Sequence, residues 1–186
     1  MQKNPNPQGK GLAPVLEGLQ SSRAMVSVPA KDVEQISHEL FTSLFVLHSQ
    51  FQFRPVVGKC YYLYRKQSVF RLSLISPREW RTETFGQFVG ECRLQKDITW
   101  TLNLDASAVR DSVLMSLIAH RRAEFEKVLK SSKTIDEILP FYLGTLPFYQ
   151  RVFASGLAAS LHLSLVKSGH QGLTYRQAKQ LLGSID

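Results

Sequence analysis

The sequence predicts an α+β fold, in which a four-stranded antiparallel sheet packs on an N-terminal helix and a C-terminal helical subdomain follows. Three observations indicate this fold. Apolar residues recur at three- and four-residue steps in residues 30–50, they alternate with polar residues in residues 59–104, and the helical repeat returns from about residue 106. With 186 residues, the chain is long enough to bury a sizeable core.

The same changes of pattern divide the chain into three regions. We expect an extended N-terminal arm at residues 1–28, an α+β core with an antiparallel meander at 29–105, and a helical region packed on that core at 106–186. Two Asn-Pro dipeptides in the arm disfavour a helix there, because proline pushes the residue before it out of the helical conformation.

The apolar segments of the chain are short. The arm has no apolar run of the kind that a signal peptide carries, and the longest apolar stretch, residues 152–166, is interrupted by serines and a histidine. A membrane span needs roughly 20 predominantly apolar residues. The sequence therefore predicts a soluble, cytoplasmic protein with no membrane partner.

The first helix is predicted at residues 30–50. Pro29 precedes it, at a position where the missing N–H is harmless, and Arg54-Pro55 follows it. Its apolar stripe consists of Val33, Ile36, Leu40, Phe41, Leu44, Phe45 and Leu47. This stripe is wide enough to face the core of a globular domain.

Four strands are predicted at residues 59–66, 69–76, 88–95 and 99–104. If Gln67 and Ser68 form a two-residue turn, Tyr64 lies opposite Arg71. The face that we expect to pack on the first helix then carries Tyr61, Leu63, Phe70, Leu72 and Leu74. Trp100 alternates onto the apolar side of the last strand.

The opposite face combines aromatic rings with cations. It carries Tyr62, Tyr64, Arg71 and Ser73, and Arg93 stands on the third strand. An open sheet with tyrosine and arginine is a platform for stacking bases and neutralising phosphates, so this face is a candidate site for nucleic acid or another partner. The alternative is that the C-terminal helices cover the face and make its tyrosines part of the core.

The C-terminal region predicts helices at residues 108–130 and 147–167, with a short helix after Thr134 and another after Thr174. The helix predicted at residues 147–167 carries a patch of small residues, namely Ser155, Gly156, Ala159 and Ser160. Such a patch lets another helix approach closely, either within the chain or across the interface of a homodimer.

Charge and motifs bear on function without identifying it. The 23 Lys and Arg residues exceed the 15 Asp and Glu residues, giving a net charge of +8, which favours polyanionic partners or simply maintains solubility. The chain has no phosphate-binding loop, no dinucleotide fingerprint and no His-Glu-x-x-His, and Cys60 and Cys92 have no metal-ligand spacing. We therefore predict no catalytic residues, no cofactor and no metal.

The central region resembles a known family. The segments at 61–66, 73–80, 88–90 and 94–100 are similar, in order and spacing, to the uncharacterised domain-of-unknown-function 2452 family, in its bacterial branch. The resemblance implies no activity, cofactor or catalytic residue. It marks as family features Ser76, Pro77, Arg78, Glu79, Trp80 and Trp100.

Taken together, the sequence predicts a basic, non-enzymatic binding or scaffolding module, with a protein partner or a second copy of itself as the ligand. The alternative is RNA or single-stranded nucleic-acid binding on the sheet face of Tyr62, Tyr64 and Arg71. A second alternative is an enzyme whose catalytic residues converge from distant positions.

Overall fold

The computed structural model describes residues 28–79 and 85–182, so Trp80 and nearly all of the predicted arm lie outside the described residues. In chain order the elements are α1 Val33–Leu47, β1 Cys60–Lys66, β2 Val69–Ser73, β3 Gln87–Leu94, β4 Trp100–Leu104, α2 Ala106–Arg110, α3 Ser112–Ser131, a 3-10 helix Ile135–Ile138, α4 Phe148–Lys167 and α5 Tyr175–Leu182. This order confirms the predicted α+β class.

The first helix is shorter than predicted because the side chain of Asp32 caps it. The carboxylate of Asp32 accepts a hydrogen bond from the backbone N–H of Gln35 at 2.7 Å, so regular helix begins at Val33. The predicted stripe is confirmed at Val33, Ile36 and Leu40, which are fully buried.

The strand order is β2-β1-β3-β4, with every neighbouring pair antiparallel. The predicted meander is therefore wrong in order, since β3 pairs with β1 and not with β2. The connection at residues 74–86 explains the difference, because it reaches the dozen or more residues that a chain needs to cross to the far side of a strand. Strand β1 thus becomes an interior strand of the sheet.

The predicted hairpin register is confirmed. Lys66 lies opposite Val69, Tyr64 opposite Arg71, and Tyr62 opposite Ser73. Gln67 adopts a φ of 57°, as a tight two-residue turn requires.

The inner face of the sheet packs on α1, and its predicted members Tyr61, Leu63, Phe70 and Leu72 are buried. Leu74 is an exception and is 54% exposed, because β2 ends one residue earlier, at Ser73. Helix α4 packs against α1, and its Ser164 hydroxyl donates to the carbonyl of Pro29 at 2.8 Å.

The predicted helix at 108–130 is two helices. The carboxylate of Asp111 accepts from the backbone N–H groups of Val113 and Leu114, both at 3.0 Å, and so begins α3 anew. Arg65, near the end of β1, lies 3.6 Å from the same carboxylate and ties the start of α3 to the sheet.

Candidate functional site

An open groove lies between the second half of α1, the hairpin of β1 and β2, and the middle of α3. Its cavity volume is about 550 Å³. We call it the aromatic groove, and its lining residues are Phe41, Leu44, Phe45, His48, Gln50, Ser68, Val69, Phe70, Arg121 and Phe125. Apolar side chains dominate this list, so the groove has the character of a binding surface.

Four phenylalanine rings form a connected floor. The ring centroid of Phe41 lies 6.2 Å from that of Phe45 and 5.7 Å from that of Phe125, and Phe45 meets Phe70 edge to face at 4.9 Å. Phe41 and Phe45 are one helical turn apart on α1, so both face the same way. Because the four rings belong to α1, β2 and α3, the floor is supported by three separate elements.

The segment after α1 holds the hairpin beside that helix. The backbone N–H of Gln50 donates to the carbonyl of Phe70 at 2.8 Å, and the carbonyl of Gln50 accepts from the N–H of Leu72 at 3.0 Å. These bonds continue the sheet along the outer edge of β2. They fix the distance between α1 and β2 across which the groove opens.

Two adjacent arginines of α3 stack on the floor. The guanidinium carbon of Arg121 lies 5.5 Å from the ring centroid of Phe45 and 5.1 Å from that of Phe70. The guanidinium carbon of Arg122 lies 5.2 Å from the ring centroid of Phe41. All three distances fit cation–π interaction, which stabilises the arginines over the rings.

The two arginines differ in their charge partners. Arg122 pairs with Glu126 at 3.3 Å. For Arg121, the part of the chain that the structure describes holds no carboxylate within ion-pair distance. Among the described residues, the charge of this guanidinium is therefore met by aromatic rings and not by an acid.

The sheet face that points away from α1, here called the outer sheet face, brings together Tyr62 and Tyr64, two of the predicted site residues. The ring centroid of Phe88 lies 6.2 Å from that of Tyr62 and 5.6 Å from that of Tyr64. Tyr64 is only 3% exposed, and its hydroxyl donates to the carbonyl of Ile75 at 3.0 Å. Burial raises the pKa of Tyr64 to about 12. The segment after β2 therefore covers Tyr64, a role that the sequence interpretation considered only for the C-terminal helices.

The predicted cations of this face stand apart. Arg71 is exposed on β2 and reaches the side-chain oxygen of Gln50 at 3.4 Å. Arg93 is exposed on β3, where it donates to the carbonyl of Gly58 at 3.3 Å. Glu91 lies opposite Tyr62 in the register, so the face has mixed charge.

The motif after β2 forms a turn. The N–H of Glu79 donates to the carbonyl of Ser76 at 3.0 Å, and the carboxylate of Glu79 accepts from the N–H of Ser76 at 3.4 Å. Pro77 and Arg78 lie between them, and Trp80 lies outside the described residues.

Trp100 belongs to the core. It is 1% exposed, its ring centroid lies 5.6 Å from that of Tyr61, and its backbone N–H donates to the hydroxyl of Ser43 at 2.9 Å. These contacts join β4 to α1 and give Trp100 a packing role in the core.

The patch of small residues on α4 is divided between core and surface. Ala159 and Ser160 are buried, Gly156 is half-buried and Ser155 is exposed. Two of the four residues thus pack within the chain, and the homodimer contact stays a prediction.

A buried cation joins the start of the fold to the turn between β3 and β4. The ammonium group of Lys31 lies 2.5 Å from a carboxylate oxygen of both Glu39 and Asp97. Burial alone would raise the pKa of Asp97, but hydrogen bonds from Lys31 and Thr99 outweigh it and lower that pKa. Sequence reasoning missed this network because Lys31 and Asp97 are 66 residues apart.

A carboxylate and a histidine also meet between the 3-10 helix and α4. Nδ1 of His162 lies 2.9 Å from Asp136, whose second oxygen accepts from the N–H of Gly172 at 2.8 Å. Asp136 thereby links the 3-10 helix, α4 and the loop before α5. Within residues 28–79 and 85–182, no group of three or more His, Cys, Asp or Glu side chains has the arrangement to hold a metal ion.

A family model described as a protein of unknown function (DUF2452) matches residues 30–134, more than half of the chain. The chain belongs to the DUF2452 family. The matched DUF2452 segment contains α1, the whole sheet, α2 and α3, and therefore every residue that lines the aromatic groove. No solved structure matches the chain. Among the helices that the structure describes, none is both long and apolar enough to cross a membrane.

Proposed function

We propose that this protein is a non-enzymatic binding module, and that it takes up a segment of a protein partner in the aromatic groove. The observation that carries the proposal is an open groove of about 550 Å³ whose floor is the connected set of rings Phe41, Phe45, Phe70 and Phe125. Phe41 and Phe125 are half-buried, and Phe45 and Phe70 are buried with Arg121 over them. An apolar surface with a polar rim is typical of an interaction site. We expect the module to act in the cytoplasm, where its two free cysteines stay reduced.

The composition of the groove favours a polypeptide ligand. Aromatic residues and arginine are enriched in the centres of protein interfaces, where a few such residues supply most of the binding energy. The rim offers His48, Gln50 and Ser68, which suit hydrogen bonds to a peptide. The groove lies between a helix and a hairpin, so a bound segment would contact both.

Nucleic acid receives less support from the outer sheet face. A base needs an accessible ring on which to stack, and Tyr64 is buried with its hydroxyl already bonded to Ile75. A phosphate needs positive potential, and Glu91 lies two residues from Arg93 on the same face of β3. We therefore rank RNA binding second.

The proposal is tested by selecting peptides on the purified protein and measuring them on a matched pair of variants. Val69 lines the groove and Val57 does not, yet both are 40% exposed, so Val69→Lys and Val57→Lys place the same side chain at sites of equal exposure. We expect selected peptides to lose about tenfold or more in affinity for Val69→Lys, because the lysine blocks the apolar floor. Val57→Lys should bind them like the parent protein.

Two results would contradict the proposal. One is the failure of any peptide to be enriched, and the other is an equal loss of affinity in both lysine variants. Gel-shift measurements with single-stranded RNA at low salt complete the test. Salt-sensitive binding of RNA that weakens on Arg71→Ala, without any peptide binding, would favour the outer sheet face instead.

A further inference from the structure

We infer that the segment taken up by the aromatic groove is acidic as well as apolar, and that a carboxylate of the partner pairs with Arg121. This inference rests on the proposed function and adds the chemistry of the ligand. Its apolar side chains fill the phenylalanine floor, and its acidic side chains face the cation at the α3 side of the groove.

The position of Arg121 prepares it for a carboxylate. Its guanidinium carbon lies 5.5 Å from the ring centroid of Phe45 and 5.1 Å from that of Phe70, and contact with both rings restrains the side chain. A guanidinium has several N–H donors, and its fork of donors matches the two oxygens of a carboxylate. The group is thus ordered before the ligand arrives, which lowers the entropic cost of binding.

The neighbouring Arg122 is an arginine of the same helix that has both a ring contact and an acidic partner. Arg122 stacks on Phe41 and also pairs with Glu126, one turn further along α3. Arg121 has the same kind of ring contact, but the structure gives it no acidic partner among the residues that it describes. A carboxylate from a bound segment would complete the arrangement that Arg122 completes within the chain.

The charge of the lining supports the same conclusion. Arg121 and His48 are the lining residues that can carry a charge, and both are basic. Gln50 on the rim is also contacted by Arg71. With a net charge of +8, the chain attracts acidic segments and repels basic ones.

Other occupants fit this charge less well. A second copy of the chain brings the same net charge of +8 and meets the groove with like charge. The chain's own residues 1–27 contain Lys3, Lys10 and Arg23 against Glu17, so they also bring a positive balance. An acidic, amphipathic segment of a different protein is the occupant that the charges favour.

The test uses two fluorescent peptides of about twelve residues that share leucines at positions i, i+3, i+4 and i+7 and carry either glutamate or lysine between them. Binding is measured by fluorescence anisotropy in about 0.1 M salt, which screens distant charges. We expect the glutamate peptide to bind about tenfold more tightly than its lysine twin. Arg121→Glu should reverse this preference, and Arg121→Met, which keeps the apolar stem over the rings, should abolish it.

A charge-matched control separates the groove from the general field of the protein. Arg93→Glu changes the net charge as much as Arg121→Glu, but Arg93 stands on the outer sheet face. The preference for the glutamate peptide should persist in Arg93→Glu. Thermal unfolding of each variant establishes that it is folded. If Arg121→Glu does not fold, the loss of the peptide preference in Arg121→Met tests the inference by itself.

The outcomes distinguish the inference from the function on which it rests. Equal affinity for the two peptides, or a preference that Arg93→Glu removes as completely as Arg121→Glu, overturns the inference. If library peptides without acidic residues bind and lose affinity on Val69→Lys, the binding function stands and the acidic ligand is refuted. If neither twin nor any library peptide binds, both proposals fail.

Discussion

Replacing Lys31 with methionine probes the buried cation that joins α1 to the turn between β3 and β4. The Lys31 side chain is 4% exposed, and its ammonium contacts Glu39 and Asp97, whose side chains are 19% and 13% exposed. Methionine keeps an apolar stem of similar length and removes the charge. The substitution therefore leaves two carboxylates close together and partly buried, without a counter-ion.

The expected cost follows from the surroundings of the two carboxylates. Removing one partner of a fully buried ion pair costs about 3–5 kcal/mol. Asp97 keeps hydrogen bonds from the N–H and hydroxyl of Thr99, at 3.2 and 2.6 Å, and both carboxylates retain some contact with water. We therefore expect the unfolding free energy to fall by about 2–3 kcal/mol.

Lys179→Met is the matched control. Lys179 pairs with Glu34 at 2.7 Å, but both side chains are more than half exposed. An exposed pair of this kind contributes little, because water and salt screen it. Urea denaturation at about pH 7 should show a lower midpoint for Lys31→Met and an unchanged midpoint for Lys179→Met.

The pH dependence gives a second check on the same residues. The pKa of Asp97 is lowered from 3.8, so its contribution is present above that value and is lost as the pH falls through the lowered pKa. Burial alone would lower the pKa of Lys31, but Asp97 and Glu39 raise it above 10.5, so its contribution is lost only as the pH rises through that raised pKa. The stability gap between parent and Lys31→Met should therefore shrink in acid. Equal losses in the two lysine variants, or a gap that is unchanged in acid, would refute the reasoning.

Two further substitutions test the sheet. Gly90→Ala should lower the unfolding free energy by about 2 kcal/mol or more, because its new Cβ would lie 2.2 Å from the carbonyl oxygen of Asn103. Gly144→Ala, which meets open space, is the control, and equal denaturation midpoints would contradict the expectation. Tyr64→Phe should cost about 1 kcal/mol, because the carbonyl of Ile75 loses its donor. In the parent, an absorbance titration should show Tyr64 ionising near pH 12, with stability falling as the pH rises above 10.0; ionisation at the ordinary value would contradict the burial of this hydroxyl.

The parts of the fold that sequence reasoning predicted depend on local rules. The register of the hairpin follows from the two-residue turn at Gln67 and Ser68, and alternation then assigns Leu63 and Leu72 to the core. The short helix predicted after Thr174 also depends on local residues, because Thr174 and Gln177 form the reciprocal bonds of a capping box, at 2.9 and 3.2 Å. In each case the residues that decide the outcome lie within a few positions of one another.

The parts that were missed depend on distant residues. The strand order required knowing that residues 74–86 carry the chain across β1, and no local pattern indicates on which side of β1 the next strand pairs. The aromatic groove arises only when Arg121 of α3 meets Phe70 of β2. Phe70 was predicted correctly as an inward residue, but the alternation of apolar and polar residues does not reveal that the guanidinium of Arg121 lies over its ring.

Exposed rings elsewhere offer a weaker basis for function than the aromatic groove does. Tyr142 is 98% exposed, and Phe141 and Phe148 are also exposed, yet these residues follow the segment that the DUF2452 model matches. The ring of Tyr142 stands on the loop before α4 and must be ordered when a ligand binds, which costs entropy. The rings of the groove are already packed on one another, and α4 supports α1. The groove therefore combines a preformed surface with a place in the family segment, and the search for a partner should begin there.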